Sequence, residues 1–204
     1  MNFIGPSLTF LAFVVYAIVH SLLASLWAKQ KARLSLGDRG NRIYRLAYNL
    51  FSGITFIPVL AVPAAFPGDT LYRLAIPWLV ISTALQLLGA LIILVGMLQT
   101  DIWHFIGIRQ LLDPSQADNA TMITHGLYRY IRHPLYTGGL LFIWFIPMMT
   151  TSLLALNLAA TLYLYIGSIF EERRLIAEFG DDYRQYQQRV ARFLPLSKLR
   201  LPRE

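Results

Sequence analysis

Four long stretches of the chain carry no charged side chain, and shorter segments with charged residues separate them. The stretches cover residues 1–28, 46–68, 74–100 and 133–170. Each of the first three is long enough for a helix that crosses a bilayer, which takes about 20 apolar residues. The fourth is interrupted by Pro147 and by polar residues at 150–152, a pattern that favours a hairpin of two short spans.

Five transmembrane helices are therefore predicted, and the expected fold class is an all-α polytopic membrane protein. The predicted spans are 4–27, 44–66, 74–98, 135–149 and 152–170, and the loops between them are basic on alternate sides. Because basic loops stay in the cytoplasm, the N-terminus is predicted outside and the C-terminus inside. No internal repeat or low-complexity segment is visible, so a single domain over 1–204 is expected.

Beyond Phe170 the apolar residues follow the spacing of an amphipathic helix. Residues three or four apart form one apolar stripe, made of Leu175, Phe179, Tyr183, Tyr186, Val190 and Phe193. Gly180, followed by Asp181 and Asp182, predicts the end of one helix and the start of another. Two placements of this C-terminal amphipathic segment stay open: on the membrane surface, or packed back over a functional site.

Composition supports the membrane assignment and excludes several kinds of site. In this chain 56% of the residues are hydrophobic and 14% are charged, whereas about a quarter of the residues in a soluble domain are charged. The net charge of +7 comes from residues that flank the predicted spans, which favours lipid head groups over nucleic acid as partners. The absence of cysteine excludes disulfides and thiolate nucleophiles, and the four scattered histidines predict no metal site.

Polar residues concentrate at the two ends of the predicted hairpin. Arg132, His133 and Tyr136 precede the fourth span, and Glu171 and Glu172 follow the fifth. An antiparallel hairpin would bring these residues together at one membrane boundary. Cations, carboxylates and aromatic rings suit S-adenosylmethionine, a zwitterion with an additional sulfonium charge. The same residue types also anchor helix ends at the membrane interface, so the residues alone leave both interpretations open.

The compound motif in the last 85 or so residues resembles the isoprenylcysteine carboxyl methyltransferase family. It reads Arg132-His133-Pro134-Leu135-Tyr136-x-Gly138, then Glu171-Glu172-x-x-Leu175-x-x-x-Phe179-Gly180-x-x-Tyr183-x-x-Tyr186-x-x-x-Val190, and finally Pro195. The resemblance implies a helical membrane enzyme that binds S-adenosylmethionine within residues 120–195. The implied contacts are Tyr128, His133, Pro134, Leu135, Tyr136 and Glu171, together with the backbone around 120–123 and, less directly, Glu172. Arg132 is added from the charge argument.

One position departs from the namesake enzymes of that family. Eukaryotic prenylcysteine enzymes carry an arginine four residues before the paired glutamates, and this arginine is thought to meet the substrate carboxylate. Here that position is Gly167. A second resemblance, to the bacterial methanethiol S-methyltransferase branch and to NnrU-like proteins, rests on three segments: His20-Ser21-Leu-Leu-Ala24, His104 to Gln110, and Ile146 to Thr150. It implies a small uncharged thiol as acceptor, bound or deprotonated by His104 and Arg109, in a bacterial plasma membrane.

The predicted function is S-adenosylmethionine-dependent methylation of a small or lipophilic thiol that enters from the lipid. Two alternatives stay open: carboxyl O-methylation of an isoprenylcysteine-like acid, and a non-catalytic NnrU-like accessory role. A transporter is disfavoured, because no repeat symmetry exists and no ionisable residue lies deep in a span. His20, near a span end, is expected to bond to a neighbouring helix. The oligomeric state is left unassigned.

Overall fold

The chain is described by a computed structural model over residues 3–100, 103, 106, 108 and 121–194, without the side chains of 38–42. Helices dominate this part of the chain. The elements are α1 (Ile4–Ala24), α2 (Leu26–Ala65), β1 (Thr70–Arg73), α3 (Trp78–Gln99), a 3-10 turn (Gly126–Arg129), α4 (Pro134–Trp144), β2 (Met148–Thr150), α5 (Thr151–Phe179) and α6 (Asp181–Arg189).

Four of these helices are long and apolar enough to cross a membrane. They are Ile4–Ala24, Ile43–Ala65 within α2, Trp78–Gln99 and Thr151–Phe179, with mean hydropathies of 1.6 to 2.4. Large apolar side chains stay exposed along them, as lipid-facing surfaces require. A helical integral membrane protein is therefore confirmed.

The fourth predicted span forms a shorter helix than expected. α4 has 11 residues, so its rise of roughly 17 Å is well below the hydrocarbon thickness of a bilayer. The chain leaves the helix before Pro147 and enters β2, which pairs antiparallel with β1 through Thr70↔Thr150 and Arg73↔Met148. Proline cannot continue the helix here, because it lacks the backbone donor. The five-span count thus stays a prediction.

The basic loop expected between the first two spans is largely helical. Ser25 ends α1 with an extended backbone and caps α2, since its hydroxyl accepts a hydrogen bond of 3.2 Å from the Ala28 amide. Lysine and arginine have good helix propensity, so a basic segment continues as helix where a cap starts it. Gly37 interrupts α2 with φ +58° and ψ −146° inside this basic segment, before the apolar span begins at Ile43.

The chain divides into two compact units, and the prediction of a single domain stays a prediction. In the described part, one unit holds residues 3–73, 103, 106, 108 and 148–160, and the other holds 74–100, 121–147 and 161–194. In the first unit α1 packs on α2 around His20, whose ring nitrogens bond to the hydroxyls of Ser52 at 3.1 Å and Tyr48 at 2.7 Å. The expected bond of His20 to a neighbouring helix is therefore present.

In the second unit, glycines bring α3 and α4 into close contact. A Cβ atom added to Gly89 would lie 2.7 Å from the carbonyl oxygen of Gly138, and one added to Gly138 would lie 2.7 Å from that of Gly89. At one end of the pair the Ser82 hydroxyl donates to the Phe145 carbonyl. Small residues at such a contact let two membrane helices approach closely, and this contact sets the position of α4.

The apolar stripe beyond the last span folds back on α5. α5 continues to Phe179, Gly180 adopts φ +59°, and α6 begins at Asp181. Tyr183, Tyr186 and Val190 form one buried cluster, against which Leu175, Ile176, Phe179 and Met122 pack. Within this unit these residues pack on protein, while the choice between the two placements left open by the sequence stays a prediction.

Candidate functional site

The segment that carries the Arg-His-Pro motif is held in place on both sides. On one side, the Leu127 amide donates to the Gln99 side-chain oxygen of α3 at 2.9 Å. On the other side, Ile131 and Ala191 form a parallel bridge. Pro134 is fully buried at the first turn of α4, where its missing amide hydrogen is no disadvantage. His133 is thereby fixed at the N-terminal end of α4.

The residues 190–194, here named the C-terminal strap, run beside this motif. The Arg132 amide donates to the Ala191 carbonyl at 2.8 Å, and the His133 amide donates to the Arg192 carbonyl at 3.1 Å. The Thr137 hydroxyl donates to the Phe193 carbonyl at 2.9 Å. Phe193 also places its ring 5.7 Å from the His133 imidazole. The strap therefore closes one side of the site.

His133 is buried between aromatic rings and carboxylates. Its ring stacks on Tyr136 at 5.2 Å and an interplanar angle of 10°. Nδ1 lies 3.4 Å from a Glu171 oxygen and Nε2 lies 3.1 Å from a Glu172 oxygen. Burial alone would lower the pKa of His133, but the hydrogen bonds and negative charges of the two glutamates outweigh it and raise the pKa. The site thus favours a cationic imidazole.

The paired glutamates of α5 have different surroundings. Glu172 is 3% exposed and bonds to Arg132, His133, Gln187 and Arg192. The Glu171 side chain keeps 36% of its surface exposed and borders His133 and Tyr136. Only the first carboxylate therefore offers substantial surface to a ligand.

Arg132 faces the protein and not the open side of the site. The Arg132 side chain is 9% exposed, and its guanidinium donates to Glu172 at 2.8 Å and to the carbonyl oxygens of Gln187 and Val190. These acceptors come from α5, α6 and the strap. Arg132 therefore ties the motif to three other elements of the unit.

Tyrosine hydroxyls complete the site in their neutral form. Burial and the charge of Glu171 raise the pKa of Tyr128 to about 12. Burial also raises the pKa of Tyr186 to about 12, and its hydroxyl donates to the Tyr128 carbonyl. These two hydroxyls stay protonated at neutral pH and act as hydrogen-bond donors.

Gly167 lies one helical turn before the paired glutamates on α5. A Cβ atom built there would meet only the Tyr136 hydroxyl, at 3.9 Å, among the described residues. The position that carries arginine in the prenylcysteine enzymes therefore borders the candidate site here, with room for a side chain and no charge.

The structure brings together most of the residues singled out in the sequence. Arg132, His133, Tyr136, Glu171 and Glu172 share one site, and Tyr128 lies near enough for the charge of Glu171 to affect its pKa. Leu135 instead packs on α3, close to Gly96. The predicted His104 and Arg109 lie outside the described residues.

Three residues of the site were missed by the sequence reasoning: Gln187, Arg192 and Phe193. The helical spacing of the C-terminal stripe placed Phe193 on an apolar face, and Arg192 belonged to a generally basic tail. A strand-like strap that pairs in parallel with residues 60 positions earlier has no local sequence signal. A charge count could have found Arg192, because two adjacent carboxylates directly after an apolar span require counter-charges where they are buried.

Comparisons with known proteins find methyltransferases. A family model described as phospholipid methyltransferase matches residues 79–182, which include α3, α4 and α5. A methanethiol S-methyltransferase of Pseudomonas sp. (strain GM41(2012)) is 31% identical over 94% of this chain and 76% of its own length. The methanethiol S-methyltransferase of Pseudomonas deceptionensis is 36% identical over 56% of this chain and 45% of its own.

A more distant match is the protein-S-isoprenylcysteine O-methyltransferase of Schizosaccharomyces pombe, 37% identical over 37% of this chain and 33% of its own length. The chain spans about half the length of several of the relatives that it matches. No solved structure gives a significant match. The family match covers half of the chain, including the paired glutamates, and one relative is matched over most of its length. The chain therefore belongs to the phospholipid methyltransferase family.

Proposed function

We propose that this chain is a membrane methyltransferase that uses S-adenosylmethionine to S-methylate a small or lipophilic thiol. The family match and the names of the relatives support methyl transfer. The observation that carries the proposal is the partly exposed Glu171 carboxylate beside the buried His133 imidazole and the Tyr136 ring.

The chemistry of these groups fits the methyl donor. Glu171 can accept hydrogen bonds from the ammonium group of the methyl donor. The cationic His133 is 4% exposed and has both ring nitrogens toward the glutamates, so it takes part by holding the Glu171 carboxylate ionised and in place. The aromatic face of Tyr136 and the hydroxyl of Tyr128 add contacts for a cation and for polar atoms. Pro134 and Leu135, which the resemblance also implied as contacts, are proposed to support the site from the α3 side, because Pro134 is fully buried and Leu135 packs close to Gly96. When bound, S-adenosylmethionine supplies an activated methyl group on a positively charged sulfur.

The residues of the chain then have three tasks. They align the acceptor sulfur with the methyl group, exclude water, and favour the thiolate, which is the nucleophile. The new carbon–sulfur bond forms as the bond to the sulfonium breaks, so the donor leaves as a neutral thioether and the thiol proton goes to a base. His104 and Arg109 are proposed for binding or deprotonating the thiol, on the strength of the second resemblance.

Gly167 supports the choice of an uncharged acceptor. A carboxylate substrate at a membrane boundary needs a fixed positive charge, because burying an unpaired carboxylate is costly. Beside Gly167 the described residues provide a tyrosine hydroxyl, and no cation stands in the position of the arginine. A small thiol has no such requirement, and it can enter from the lipid.

Purified protein in detergent micelles, given S-adenosylmethionine and matched acceptors, tests the proposal. Small alkanethiols should be methylated, whereas an isoprenylcysteine acid should not. Glu171→Gln should weaken donor binding measured by calorimetry, while Arg184→Gln, on the exposed face of α6, should leave it unchanged. Donor binding without turnover on any acceptor would favour the accessory role. Preferred methylation of the prenylcysteine acid would overturn the thiol assignment.

We further propose five crossings of a bacterial plasma membrane, with the N-terminus outside and the C-terminus in the cytoplasm. The alternation of basic segments supports this arrangement. The natural absence of cysteine makes a direct test simple. A single cysteine at Asn2 should react with a membrane-impermeant maleimide on intact cells, and one at Lys198 should react only after lysis. The opposite labelling pattern would exclude this topology.

A further inference from the structure

Glu172 has its hydrogen-bonding capacity filled by the protein itself. Oε1 accepts from Arg132 Nε at 2.8 Å, His133 Nε2 at 3.1 Å and Arg192 Nε at 3.2 Å. Oε2 accepts from Gln187 Nε2 at 2.9 Å and Arg192 Nη2 at 2.7 Å. An ionised carboxylate has about four acceptor positions, and Glu172 is 3% exposed. These donors leave it neither surface nor lone pairs for a ligand.

The donors to Glu172 come from separate parts of the unit. Arg132 and His133 precede α4, Gln187 belongs to α6, and Arg192 belongs to the C-terminal strap. Arg192 is the donor that itself belongs to the strap, and its guanidinium also lies 5.8 Å over the Tyr165 ring of α5. Arg132 also reaches the strap, because its guanidinium donates to the Val190 carbonyl. Glu172 is therefore the point at which α5 holds the strap.

We propose that Glu172 is a positioning residue that fastens the C-terminal strap against His133, whereas Glu171 is the member of the pair that contacts the methyl donor. This assigns Arg132 and Glu172 to the support of the site, and not to the donor contacts expected from the sequence. The donor's identity rests on the proposed function. The fastening of the strap is a property of the chain alone.

The electrostatics explain why the strap depends on one carboxylate. Arg132 and Arg192 share Glu172 as their acidic partner, and the Arg132 side chain is 9% exposed. Without the carboxylate, two guanidinium groups would face each other across a partly buried space, which is unfavourable. The strap would still have its backbone bonds to residues 132 and 133 and the bond from Thr137. We therefore expect it to open more often without unfolding of the helices.

Limited chymotrypsin cleavage after Phe193 measures this opening on the full chain in detergent without any donor. Glu172→Gln should be cleaved about tenfold faster than the parent, a fold-change equal to about 1.4 kcal/mol. Glu171→Gln, the matched control one residue earlier, should be cleaved at the parent rate. Equal cleavage of the parent and Glu172→Gln would overturn the proposal.

Arg192→Gln provides a second variant if Glu172→Gln folds poorly, because the Arg192 side chain is 29% exposed. It should also speed cleavage after Phe193. If both residues act through the same contact, the double variant should be cleaved no faster than the more open single variant. Additive effects would show that Glu172 does not hold the strap through Arg192.

Kinetics separate positioning from a general loss of folded protein. In Arg192→Gln the KM for S-adenosylmethionine should rise about tenfold, whereas kcat at saturating donor should be kept, since the interaction lost is a binding one. A fall in kcat with unchanged KM would indicate a merely structural role and refute the proposal. If the parent binds no donor, the proposed function fails, and the cleavage series still decides the role of Glu172.

Discussion

The close contact between α3 and α4 can be tested with two adjacent glycines of α4. A Cβ atom at Gly138 would lie 2.7 Å from the Gly89 carbonyl oxygen and 2.9 Å from Cγ1 of Ile93, whereas one at Gly139 meets nothing within 4 Å. Real Cβ atoms do not approach a backbone atom that closely. Gly138→Ala must therefore push the two helices apart, and Gly139→Ala must not.

The size of the effect follows from two opposing contributions. Alanine is favoured over glycine inside a helix by about 1 kcal/mol, and both variants gain this. Overpacking costs about 1 to 3 kcal/mol, and only Gly138→Ala incurs it. The two variants should therefore differ by about 1 to 3 kcal/mol, which corresponds to about 2 to 12 °C in Tm for a chain of this size.

Circular dichroism of both variants in detergent measures the difference, and donor affinity measured by calorimetry shows its effect on the site. α4 starts directly after His133 and carries Tyr136 in its first turn, so a displaced α4 should also weaken donor binding. Gly139→Ala should bind as the parent does. Equal Tm values for the two variants would refute the packing argument, and intact affinity in a destabilised Gly138→Ala would refute its link to the site.

Three further predictions concern the same unit. The pKa of His133 is raised above its ordinary value of 6.5. The stabilisation from the protonated imidazole is therefore complete below pH 6.5 and is lost as the pH rises through the raised pKa. Tm should fall over this pH range, and His133→Gln should flatten the dependence of Tm on pH. Thr137→Val removes the bond to the Phe193 carbonyl, so it should lower stability by about 1 kcal/mol and speed chymotrypsin cleavage of the strap. The control is Thr55→Val, which should not affect cleavage because the Thr55 hydroxyl donates to carbonyls of its own helix α2. Gly167→Arg has room beside Tyr136. The arginine should reduce turnover of small thiols by its bulk and improve binding of carboxylate acceptors by its charge. Unchanged KM values for both acceptor classes would contradict a role of position 167 in acceptor choice.

The apolar spans were accessible from the sequence because a membrane helix is defined by length and composition. The first three predicted spans match helices of the structure to within a few residues at most ends. The end of α4 was harder to predict. Residues 145–149 are as apolar as a membrane helix, but α4 ends at Trp144, and Met148 and Met149 pair with β1. Strand pairing with a segment about 80 residues earlier depends on tertiary contacts, which the local pattern does not encode.

The cluster of Arg132, His133, Tyr136 and the paired glutamates was predicted from the two ends of a hairpin. The structure brings these residues together although α4 is shorter than the predicted span. The prediction succeeded because the polar residues meet where the chain enters α4 and where the apolar part of α5 ends. The length of α4 does not change this meeting point. The strap was missed because its contacts involve backbone groups of residues 191–193, and every residue type carries such groups.

The different roles of the two glutamates follow from helix geometry. Neighbouring residues on a helix point about 100° apart and do not face each other. Glu171 and Glu172 can therefore serve separate surroundings, and the His133 ring lies between them with Nδ1 toward one and Nε2 toward the other. Arg132 and Arg192 surround Glu172 and balance its buried charge. Glu171 is therefore the acid of the pair whose surface stays exposed. An acid pair inside α5 thus lets one carboxylate support the imidazole while the other keeps surface for a ligand.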